Sequence, residues 1–93
     1  MTDTPAVRDN PALSRFELDT GAGVAVALYR ASPGLRSIYH TEVPAALREQ
    51  GIGARLIQGA FELARAQGLK VQPRCGFVAH YIRNHPEFHD VVA

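Results

Sequence analysis

Three features of this 93-residue chain could do chemistry. They are a lone cysteine, Cys75; a histidine and a glutamate two positions apart, His40 and Glu42; and two glycines separated by one residue, Gly51 and Gly53. Cys75 stands between a short apolar run ended by Pro73 and a helical pattern beginning near Phe77. Its sulfur is therefore expected at a helix N-terminus, where the dipole and the neighbouring Arg74 favour the nucleophilic thiolate. The competing expectation for a lone cysteine is a small buried apolar residue. His40 and Glu42 share one face of a strand, and either can take a proton from an ammonium group, histidine more naturally near neutral pH. Their plainer reading is a hydrogen-bonded structural histidine beside a solvated glutamate.

The glycine pair opens a helix, where glycine costs roughly 1 kcal/mol against alanine in the interior, so bare backbone there needs a reason. One reason is an anion. The N–H groups of Gln50, Gly51, Ile52, Gly53 and Ala54 would face it, with Arg48 and Arg55 as flanking cations. The dinucleotide fingerprint is excluded by Leu56, which stands where a third small residue belongs. The nucleoside-triphosphate loop is excluded by the missing Gly-Lys-Ser/Thr ending. What remains is R-x-x-G-x-G at Arg48, Gly51 and Gly53, or else a glycine turn that only redirects the chain. His80, His85 and His89 lack a companion carboxylate or thiol at matched spacing, so no metal site is expected.

These residues need elements to position them. Residues 1–12 have two prolines and no periodicity, which predicts a flexible lead-in with order beginning near Leu13. Ser14–Leu18 and Val24–Tyr29, joined by a Gly-Ala-Gly turn, predict a hairpin, and Leu35–Val43, rich in β-formers, predicts a third strand ended by Pro44. Apolar residues at 52, 56, 57, 60, 61, 63 and 64 predict a helix over 51–67 capped by Gly68. A short strand over 69–72 and a helix from about Phe77 to Asn84 complete the chain. The order predicts a single α/β (α+β) domain over 13–93, with a mixed sheet packed on two helices.

With 46% hydrophobic and 20% charged residues, the chain can build one modest core. A net charge of +1 provides no field for nucleic acid or a membrane surface. One cysteine, no signal-like N-terminus and no membrane-length apolar run point to a cytoplasmic setting.

HTEVP at 40–44, LREQGIG at 47–53, ARAQGLKVQPRC at 64–75 and FVAHYIRNHPEF at 77–88 together resemble the short, single-domain branch of the GNAT superfamily of N-acetyltransferases. The likeness runs from Arg15 onward. It implies a compact, mainly antiparallel GNAT-like sheet with two helices, and acetyl-CoA as the co-substrate. Residues 48–54 would hold the coenzyme A pyrophosphate, and the main chain near Glu42 and Val43 would pair with the pantetheine arm. An active-site role for Cys75 is implied too, with Tyr81 as a weaker candidate acid whose match to Phe77 favours the core. The acceptor would be a primary amine: a protein lysine, an N-terminus or a small amine. The alternative is a coenzyme A-binding or interaction module without chemistry. Glu49 departs from the family, which commonly has glycine there.

Overall fold

The computed structural model describes residues 6–93. Five strands form one sheet in chain order: β1 Arg8–Asn10, β2 Arg15–Asp19, β3 Val24–Ser32, β4 Leu35–Glu42 and β5 Lys70–Pro73. Neighbours are antiparallel except β4 and β5, which run parallel through the crossover helix α1, Ile52–Ala66. Helix α2 spans Gly76–Arg83, and short 3-10 turns cover Ala45–Leu47 and Pro86–Val91.

Strand alternation puts Phe16, Leu18, Ala25, Ala27, Tyr29 and Ile38 on one face, where they form a single core with α1 and α2. Helix α1 supplies Ile52, Leu56, Ile57, Ala60, Phe61 and Ala64, the stripe expected of a helix lying on a sheet. Leu69 N–H donates to Ala64 O, and Gly68 takes the left-handed conformation that ends α1. The C-terminus closes the outer edge of β5: Val92 bridges Val71, and Ala93 N–H donates to Val71 O. No helix among the described residues is long and apolar enough to cross a membrane.

The expected lead-in over 1–12 is corrected at its end. Residues 1–5 lie outside the described part, but Arg8–Asn10 form the edge strand β1, so order begins well before Leu13. Its anchors are not periodic apolar residues. Val7 packs so closely on α1 that a Cβ at Gly59 would come within 2.3 Å of it. Tyr29 Oη donates to Asp9 at 2.6 Å, and burial, then Asp9, pushes the Tyr29 hydroxyl up to about 12.

The third anchor of β1 is Glu17, which is 2% exposed. Arg15, Asn10 and Arg8 all donate to its carboxylate, and these contacts, against the effect of burial, hold it at about 2 instead of its ordinary 4.5. The folded state therefore binds this proton more weakly than the unfolded chain. Glu17's contribution to stability should be complete above pH 4.5 and disappear as the pH falls toward about 2. Glu17→Gln should cost on the order of 2 kcal/mol at neutral pH and flatten that acid limb, as measured by denaturant unfolding across the pH range.

Candidate active site

The site is built where β4 and β5 stop pairing. They run in register from Leu35 and Lys70 to Ile38 and Pro73, and the last link is Arg74 N–H donating to Ile38 O at 2.9 Å. After this link the chain leaves the sheet to start α2 at Cys75. On the other side of β4 the register with β3 shifts. Leu28 faces His40 and Tyr29 faces Ile38, so Tyr39 is an inserted residue, which increases local twist. Among the described residues, 39–42 thus have β3 on one side and no strand on the other. A crevice beyond the carboxyl ends of adjacent parallel strands is where open α/β sheets bind ligands.

A cleft of about 960 Å³ occupies this position. His40, Glu42, Val43, Arg48, Gly51, Ile52, Gly53 and Ala54 all line it. Gly51 is the N-cap of α1 at φ 74, without a side chain to cap the helix, and the first turn has no acidic residue. The N–H groups of Ile52, Gly53 and Ala54 therefore emerge at the cleft as an uncompensated positive end. Arg48 lies exposed on the rim, its Nε–H donating to Val43 O at 3.4 Å.

The two glycines have different reasons. At Gly51 a Cβ would meet open space, and the left-handed backbone is what favours glycine. At Gly53 a Cβ would come within 2.9 Å of Phe77 Cζ, so the bare backbone lets the half-exposed ring of α2 lie on the start of α1. Glu49 also lines the cleft and adopts φ 68 without being glycine. Backbone of this kind in a non-glycine residue costs roughly 1–2 kcal/mol.

Two expected members of the phosphate loop are not among the residues lining the cleft. Gln50 turns its side chain back, Nε2 donating to Ala46 O at 3.2 Å, and does not line the cleft. Arg55, one helical turn beyond Gly51, lies on another face of α1 with Gln58 and Glu62, along a second groove beside Val7. Tyr81 is buried and stacks on His85 at 3.8 Å, away from the cleft.

His40 Nε2 and Glu42 Oε2 are 3.2 Å apart on the exposed face of β4, as their spacing requires. Cys75, half-buried, stands behind the cleft wall as the N-cap of α2, its sulfur 3.7 Å from Thr41 Oγ1. Burial raises its thiol pKa, but the main-chain N–H groups of Val78 and Phe77, with the Thr41 side chain and backbone, outweigh it and hold the thiol below its ordinary value. Thr41, Phe77 and Arg15 belong to the site but escaped the sequence reading. Only the bare backbone at Gly53 hinted at Phe77, and Thr41 meets Cys75 across 34 residues of chain.

Residues 15–91 match the profile of the GCN5-related N-acetyl-transferase family. The chain belongs to the GCN5-related N-acetyltransferases. It is similar to a GCN5-like N-acetyltransferase candidate from Staphylococcus aureus solved by NMR, with 25% identity and a TM-score of 0.71 over 99% of this chain and 91% of that one. No curated protein matches it. As a GCN5-related N-acetyltransferase it is an acyltransferase, and the family generally takes its acetyl group from acetyl-CoA. The resemblance read from the four sequence blocks is thus established, as is the mixed sheet with two main helices.

The sulfur geometry gives a direct test. The pH midpoint for alkylation of Cys75 by iodoacetamide should lie below that of an ordinary thiol, because the lowered pKa keeps thiolate present at lower pH. Thr41→Val should move the midpoint up and Thr41→Ser should restore it; stopped-flow rates across the pH range measure both.

Proposed function

We propose that the cleft holds acetyl-CoA and that the protein moves its acetyl group to a primary amine. The observation that carries this reading is the coincidence of a free strand edge at residues 39–42 with an uncapped helix start at Gly51, both on one cleft. The edge offers main-chain groups to the amide-bearing pantetheine arm, as an added strand would. Ile52, Gly53 and Ala54 offer their N–H groups to the diphosphate, with Arg48 on the rim. Arg55 and the Gln50 side chain have no part in this seat.

Lining the same cleft, the His40–Glu42 pair takes a proton from the acceptor ammonium. The freed amine attacks the thioester carbonyl, an N–C bond forms, the C–S bond breaks and the coenzyme leaves as its thiol once it has regained a proton. A second route uses Cys75, whose lowered pKa and place beside Thr41 favour it. There the sulfur accepts the acetyl group as a thioester, coenzyme A departs, and the amine then attacks the acetyl-enzyme. Neither route requires a metal. Among the described residues His40 and Glu42 are left exposed, which favours an amine presented by a larger surface, such as a protein lysine or N-terminus, over a small amine enclosed on all sides.

Incubation with acetyl-CoA, with and without an amine panel, followed by intact-protein mass spectrometry tests the reading. An acetylated amine supports transfer. An acetyl increment on the protein that hydroxylamine removes and Cys75→Ala cannot acquire assigns the two-step route. Coenzyme A binding without either would leave a binding module. Gly51→Val, which places a β-branched residue at φ 74, should weaken coenzyme A in calorimetry on the order of tenfold or more while the fold survives.

A further inference from the structure

Glu17 is a buried charge that the transfer chemistry leaves unused. It sits between Phe16 and Leu18, which point into the core, so its side chain belongs to the opposite sheet face. Both helices pack on the core side; no described element covers the other. There the Glu17 carboxylate receives Arg15 Nε at 2.6 Å, Asn10 Nδ2 at 2.9 Å, and Arg8 Nε and Nη2 at 2.9 and 2.8 Å. Two guanidinium groups against one carboxylate leave a surplus positive charge. Arg15 is immobilised through its Nε, yet its side chain is 32% exposed and lines the cleft. Its two Nη nitrogens have no partner among the described residues, and they form the end of the guanidinium that meets a carboxylate with two hydrogen bonds.

The register fixes where that charge points. Arg15, Leu28 and His40 lie in one row across β2, β3 and β4, so Arg15 and the His40–Glu42 pair share the open face two strand spacings apart, roughly 10 Å. An amine-receiving pair and a preorganised cation thus line the same cleft. We propose that the acceptor is an amine carrying a carboxylate within about 10 Å, the amine meeting His40 and Glu42 and the carboxylate meeting Arg15, which Glu17 positions. This rests on the acetyl-transfer reading. Two sources share the chemistry: a lysine beside an acidic residue in a protein segment, and a free ω-amino acid.

The test uses peptides identical except that the lysine has glutamate, glutamine or arginine two residues away, together with the small-molecule pair 6-aminohexanoate and hexylamine. The wild-type protein should favour the acid-bearing member of whichever set is the natural source by roughly tenfold in kcat/KM, mostly through KM. Arg15→Gln should erase the preference, and Arg15→Glu should turn it toward the arginine-flanked peptide. A two-dimensional NMR titration of the wild-type protein gives an independent readout, in which acid-bearing ligands alone should shift the Arg15 Nε–H signal. If that signal moves but no amine is acetylated, recognition stands and the transfer reading falls. An unmoved signal, or equal rates within both sets, overturns the proposal.

Discussion

The whole site depends on one interrupted ladder. β4 and β5 pair only as far as Ile38 and Pro73, where Arg74 N–H makes the last link and the chain turns into α2, while an inserted Tyr39 twists β4 against β3. Had the pairing continued, residues 39–42 would be interior strand and no cleft would open. The same break brings α2 to begin beside β4, placing Cys75 near Thr41 and Phe77 on Gly53. Helix α1, as the crossover between the two parallel strands, must start at the same end of the sheet. Its uncapped N-terminus therefore faces the crevice by topology, and the helix start and the strand edge meet on one cleft.

The anion end carries local strain. Gly51 adopts its left-handed backbone freely, whereas Glu49 adopts φ 68 with a carboxylate attached, beside a helix start that attracts anions. That explains why glycine suits this position: the turn between the Ala45–Leu47 3-10 segment and α1 requires the conformation whatever residue supplies it. The open face of the sheet is organised differently, by charge. Glu17 ties the three-residue strand β1 to β2 and holds Arg15 at the cleft, so one buried carboxylate connects the edge of the fold to the cleft.

Much of this was legible in the residues. The helix over 51–67, the Gly68 cap, the strand ended by Pro44 and the short helix ended at Asn84 follow from periodicity and from glycine and proline placement, and the structure has them within a residue or two. The glycine pair was read as bare backbone for an anion; the structure gives Gly51 a left-handed backbone and Gly53 the close packing of Phe77. β1 was not legible, because three residues anchored by Asp9–Tyr29 and by Glu17 show no period. Arg55 was read by its nearness in sequence to the glycines; in the folded chain it lines the groove along Gln58 and Glu62. Cys75 was placed correctly at a helix start, while the partners that lower its pKa come from Thr41 and the first turn of α2, contacts that only the folded chain brings together.

The central claim is that coenzyme A occupies the edge that β4 presents once β5 has left it. The most direct measurement is a titration of isotopically labelled protein with coenzyme A, followed through backbone amide signals. The account predicts that the largest shifts fall together on residues 41–43 and on Ile52, Gly53 and Ala54, with those of Gln58 and Glu62 unmoved. Shifts centred on the groove along Gln58 and Glu62, with the β4 amides silent, would contradict it.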